Sequence, residues 1–241
     1  MLHRLRHEVR ILGIGTFGMP VLVVAVFLGV GLLAAYDTLH TGGTHTRAHQ
    51  ALALGLLFLI EFGLPPVAGI VAANMVSGNP AVELHLTLRH SYAGVVERRL
   101  LLFTVWVALA CVVVSVLVRA TGYWIAPQPA PLNQLTWAAP ALWFLGAGAM
   151  LSLLLRSRIA SGAILGMLWL GELVFRTWFL QNATLRTAYL FLTLETLPSG
   201  SAPDASFWVA NRLTLLALSA VFLVAVGLLL RRNEALLGHE A

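Results

Sequence analysis

At 241 residues, with 59% hydrophobic residues, only 10% charged residues and a mean hydropathy of +0.86, the chain lies outside the range of soluble domains. A water-soluble fold of this length cannot hide so much apolar surface, whereas a bilayer takes it up. The net charge of +5 comes without a single lysine, since all 15 basic residues are arginine, and this excludes both a Walker A phosphate loop and a Schiff-base lysine.

In chain order, Leu2, Leu5, Val9 and Leu12 recur at helical spacing with Arg4, Arg6, His7 and Arg10 between them. This predicts a short basic amphipathic helix lying on the membrane surface. Spanning a hydrocarbon core of ~30 Å takes roughly 20 mostly apolar residues. Six stretches qualify, at about 12–35, 51–73, 100–118, 136–155, 159–180 and 208–230. The first is too apolar for too long to be a signal peptide cleaved after Ala34-Ala35.

His40, His45 and His49 crowd the first loop, but with only Asp37 nearby to complete a ligand set they read as a solvated loop. All eight histidines fall outside the spans, which argues against a haem held between helices. The lone Cys111 allows neither an intrachain disulfide nor a cysteine metal site. The second span carries Glu61 ahead of Gly63, Pro65 and Pro66, and prolines at 20, 65, 66 and 140 are expected to kink spans one, two and four. A charge at mid-bilayer costs roughly 2.5–3.5 kcal/mol, so Glu61 is expected to be protonated, paired or facing water. It is then a residue of a transport pathway, or a buried carboxyl bonded to a neighbouring helix.

Span five contains Gly162 and Gly166, a spacing that lets helices approach closely, and Glu172 and Arg176, whose four-residue spacing suits an ion pair within one helix, with Glu195 either a further partner or simply an exposed residue. Between spans five and six, Leu185–Leu197 is semi-apolar, too short to cross, and is expected to form short helices on or dipping into the outer face.

The arginines orient the bundle. With the N-terminus inside, ten of them (4, 6, 10, 89, 98, 99, 156, 158, 231 and 232) face the cytoplasm, and five (47, 119, 176, 186 and 212) face out. Both termini are therefore expected in the cytoplasm. The same scatter of arginines along span ends, rather than on one face, gives no sign of nucleic-acid binding despite a pI near 10.3. Trp124, Trp137 and Trp208 fall at outer span ends, where indole rings favour the headgroup layer.

The longest cytoplasmic segment, about 74–99, holds Ser77-Gly78-Asn79-Pro80-Ala81-Val82-Glu83-Leu84-His85-Leu86-Thr87-Leu88, then Glu97-Arg98-Arg99. In this segment Gly78, Glu83, Leu84, Leu86 and Arg98 or Arg99 resemble the coupling loop of the membrane subunit of type-2 ATP-binding-cassette (ABC) exporters. Asn79 stands where that family usually has threonine, two extra residues separate Gly78 from Glu83, and Arg89 replaces a proline. The turn at Leu153-Leu154-Leu155-Arg156-Ser157-Arg158 and the exit Leu230-Arg231-Arg232-Asn233-Glu234 are also similar to that family.

The resemblance implies an all-α permease of six spans in a prokaryotic plasma membrane, working as a pair with a second copy or a sister permease. A separate cytoplasmic ATPase would dock under the 74–99 loop and bind the ATP, so the chain itself would be neither an enzyme nor the holder of a cofactor. A lipid-like or amphipathic cargo fits the apolar walls. The residues alone leave open a secondary transporter or channel using Glu61, and a non-transporting membrane subunit of a larger complex.

Overall fold

The computed structural model describes residues 2–77, 92–120, 132–194 and 204–238, with the side chains of 2–15 and 233–238 outside that description. Among the described residues every regular element is a helix. In chain order these are α1 (Leu2–His40), α2 (His45–Phe58), a π-helical turn (Leu59–Gly63), α3 (Leu64–Ser77), α4 (Tyr92–Ala120), a 3-10 turn (Leu132–Gln134), α5 (Leu135–Leu155), α6 (Arg158–Val174), α7 (Arg176–Gln181), α8 (Ala183–Arg186) and α9 (Ala205–Gly238).

Among the described residues, five helical stretches are long and apolar enough to cross a membrane: Thr16–His40, His45–Ser77, Tyr92–Ala120, Leu132–Leu155 and Ala205–Arg232. The fifth expected span differs. The helix breaks at Phe175 (φ −97°, ψ 22°), leaving α6 with 17 residues, about 25 Å of rise, followed by the six-residue α7. The N-terminus differs as well: the expected surface helix is not a separate element, because residues 2–40 run as one helix through Pro20. The first loop shrinks to 41–44, with Gly42 at φ +83° making its left-handed turn and His45 and His49 inside α2. Among the described residues, no group of three metal-ligating side chains forms.

The central helix is α5, apolar on every side, which packs against α3, α6 and α9. Glycine makes its closest contact possible. A Cβ on Gly148 would stand 2.1 Å from the Gly69 carbonyl oxygen of α3, so the two backbones touch where side chains are missing. One to two turns on, Ser152 Oγ lies 2.8 Å from Ala73 O and 2.7 Å from Ser77 Oγ, tying the same pair of helices by hydrogen bonds. The Gly162/Gly166 pair does not do this job within the chain, because a Cβ at either position meets nothing within 4 Å.

Around this core, Val26 and Leu33 on α1, Leu101 and Val105 on α4, Met167 and Val174 on α6 and Val221 and Leu228 on α9 point outward. An apolar belt shared by every outer helix is costly in water and favourable in hydrocarbon. At the α5–α6 corner, Arg156 takes a left-handed conformation (φ 48°) and the Ser157 hydroxyl accepts the Ala160 N–H, so the chain reverses in two residues. This is the tight turn expected from Leu153–Arg158.

Candidate functional site

Pro65 and Pro66 lack N–H groups, so the carbonyls one turn earlier lose their helical donors. The chain widens just before them into the π-turn, where Leu64 N–H reaches back to Leu59 O. The carbonyl of Phe62, one turn before Pro66, instead accepts the indole N–H of Trp169 from α6 at 3.1 Å. The same π-turn carries Glu61, 1% exposed, into the middle of the bundle.

Glu61 meets two groups there. Oε1 accepts the backbone N–H of Thr193 at 3.0 Å and Oε2 that of Leu194 at 2.9 Å, at the start of a helix that begins at residue 192. A carboxylate at that position satisfies donors that a helix start leaves open and complements its dipole. Oε1 also takes the guanidinium of Arg212, from the first turns of α9, in an ion pair with neither partner exposed to solvent.

Arg212 completes the knot. Nη1 donates to Leu190 O at 3.0 Å and Nη2 to Thr193 Oγ1 at 2.7 Å, and the Cζ atom stands 5.4 Å from the centre of the Trp208 ring. The Trp208 indole N–H donates to the same Thr193 hydroxyl at 3.0 Å. One turn away on α9, the Asn211 amide donates to the carbonyls of Arg186, Thr187 and Tyr189 at 3.0–3.2 Å. Glu172, on α6, accepts the N–H of Leu190 at 2.9 Å. Two carboxylates from different helices thus hold the two ends of the stretch 190–194, while α9 grips the Leu190 carbonyl and the Thr193 hydroxyl within it and the carbonyls of Arg186, Thr187 and Tyr189 just before it.

The result is a chain segment, Tyr189 to Leu194, irregular up to the helix start at 192 and buried in the bundle, with the backbone N–H groups of Leu190, Thr193 and Leu194 bonded to side chains of other helices. Irregular backbone is tolerated in a bilayer only under that condition. The semi-apolar stretch Leu185–Leu197, expected as short helices on or dipping into the outer face, begins in the short helix α8, whose Thr184 and Arg186 are exposed, and turns into the bundle at 189–194. Its residues 195–203, including Glu195, lie outside the described residues.

Several expected sites change meaning. Arg212 is not an outside charge but a buried partner of Glu61, and Arg99, counted on the inside, is buried as well, so the ten-to-five arginine balance loses one member on each side. Trp208 is likewise not a headgroup-facing ring; it is fully buried. Glu172 and Arg176 do not share one helix, because the Phe175 break falls between them, and Glu172 spends an oxygen on Leu190 N–H.

Of the expected coupling residues, Gly78, Glu83, Leu84 and Leu86 lie outside the described residues. Arg98 is exposed near the start of α4 with Nε donating to Gly94 O, and Arg99 is buried. The ends of this segment are joined: the Tyr92 hydroxyl donates to Val76 O at 2.7 Å, pinning the start of α4 to the end of α3. The residues that sequence reasoning missed are Arg212, Thr193, Trp208 and Asn211. One signal was present, since Arg212 falls inside the expected span 208–230 and an intramembrane arginine calls for an intramembrane acid. No known protein family, curated protein or solved structure matches the chain.

Proposed function

We propose that the chain is the membrane permease subunit of a type-2 ABC exporter. Six segments cross a prokaryotic plasma membrane with both termini in the cytoplasm, α6 and α7 together serving as the fifth. A second permease copy, or a related permease, completes the pathway, and a separate cytoplasmic ATPase supplies the energy through residues 74–99. The observation that carries the reading is the dipping segment 183–194, placed between the fifth apolar helix and the last span and locked into the bundle by Glu61, Glu172 and Arg212. The Tyr92–Val76 bond adds support, because a loop whose two stems are tied together transmits a push to both α3 and α4. The absence of lysine from the sequence fits a subunit that leaves nucleotide binding to a partner.

A secondary transporter that cycles protons through Glu61 needs that carboxylate to reach water. Here both of its oxygens are engaged and the residue is 1% exposed, which favours a structural clamp over a coupling acid.

The test is affinity purification of the tagged chain from its native membrane. A nucleotide-binding subunit should co-purify, and replacing Glu83, Leu84 and Leu86 together by alanine should release it without lowering the thermal stability of the permease. Purification of the intact chain with no nucleotide-hydrolysing partner would refute the reading.

A further inference from the structure

Between the helices α4 and α9, at the end of the bundle that carries Glu97 and Arg231, lies a cleft of about 570 Å³. Leu101 and Val105 of α4 and Val224 and Leu228 of α9 form its outer walls, and Leu145 of α5 closes it behind. The walls are almost wholly apolar, because the one hydroxyl lining them, Thr104 Oγ1, donates to Leu100 O of its own helix at 2.7 Å.

The length of the cleft suits a single leaflet. It runs from Glu97 to Val105 on one wall and from Arg231 to Leu223 on the other, eight residues of helix each, or about 12 Å. That approaches half of a hydrocarbon core of ~30 Å. Extended hydrocarbon chains can lie side by side along such an apolar slot.

The mouth carries charge. Arg231 Nη2 lies 3.3 Å from Glu97 Oε1, with side chains 68% and 47% exposed. The exposed Arg98 and Arg232 adjoin the pair, so one glutamate stands among three arginines. Guanidinium has five donors, and Glu97 engages one nitrogen of Arg231, which leaves others to face a phosphate bidentately. Gly227 keeps the entrance clear: a Cβ there would come 3.8 Å from Glu97 Oε1, and any longer side chain would enter the cleft.

We propose that this cleft between α4 and α9 is a binding site for one anionic two-chain phospholipid, its phosphate on Arg231 and its acyl chains along the slot. The site requires only that the helices sit in a bilayer and stands or falls separately from the exporter reading.

The full-length protein, purified in a lipid-free detergent, is titrated with phosphatidylglycerol or phosphatidylcholine and examined by native mass spectrometry. One phosphatidylglycerol should be retained per chain in preference to phosphatidylcholine. Arg231→Gln should weaken its retention about fivefold, the effect of one arginine at an anionic headgroup. A phosphatidylglycerol with a photoreactive acyl chain should label peptides within 97–105 and 223–231, and Gly227→Leu should abolish that label with helicity unchanged. Should Gly227→Leu fail to fold, the wild-type labelling map and the Arg231→Gln titration decide the matter. Equal retention of both lipids, labelling spread evenly over all outward-facing helices, or a cross-link from this face to a second protein chain would each overturn the proposal.

Discussion

Replacing Arg212 by methionine removes a guanidinium that is 0% exposed and serves Glu61, Thr193 and Leu190 O together. Glu61 keeps the N–H groups of Thr193 and Leu194 but loses its counter-charge inside the bundle. Breaking a buried pair in this way costs about 3–5 kcal/mol, most of it from the charge left behind. Glu61→Gln in the otherwise native chain strands Arg212 instead, at a comparable cost of about 3 kcal/mol. In the double variant neither charge remains, so the combined loss should fall short of the sum of the two by about 2 kcal/mol. The cycle can be read from reversible unfolding in mixed micelles as detergent composition is varied. Limited trypsin digestion gives a local readout, because Arg186 borders the clamped segment and its carbonyl is held by Asn211. Arg212→Met should raise cleavage after Arg186 well before the bundle unfolds. Additivity of the two single variants within about 0.5 kcal/mol would refute the coupling, and with it the clamp.

Two other substitutions test the packing. Gly148→Ala places a methyl 2.1 Å from Gly69 O and must force α3 and α5 apart, a loss of about 3 kcal/mol or more in the same unfolding assay, whereas Gly162→Ala should stay within about 0.5 kcal/mol. Trp169→Phe keeps a ring against Phe62, whose centroid lies 4.4 Å away, but leaves the Phe62 carbonyl without its donor, at about 1 kcal/mol. In a Pro66→Ala background, which restores a backbone N–H to that carbonyl, the Trp169→Phe loss should shrink; an undiminished loss would mean that the hydrogen bond is not its cause.

How far the sequence could be read depended on the range of the interaction. Hydropathy over a window of about 20 residues is a local property, and among the described residues it found long helices at five of the six apolar runs, while the run at 159–180 breaks at Phe175. Rules that assign a residue by its position along the chain failed where a distant group claimed it. Trp208 and Arg212 stand near the end of a span and so read as interface residues, yet both turn inward because residues 190–194 offer them a hydroxyl and a carbonyl. Gly162 and Gly166 have the spacing of a close contact, while the actual contact joins Gly69 to Gly148, which belong to different helices and form no motif.

Glu61 shows the division most clearly. An acidic residue in the middle of an apolar run already required a partner, since hydrocarbon offers it none. Which partner could not be read from the chain. Glu61 and Arg212 are separated by 151 positions, and they meet because two prolines widen the second crossing and a buried segment leaves its N–H groups unpaired beside it. Burial in a bilayer follows from composition, which any stretch of residues carries with it. The pairing of buried polar groups depends on which helices lie side by side, and that exists only once the chain is packed.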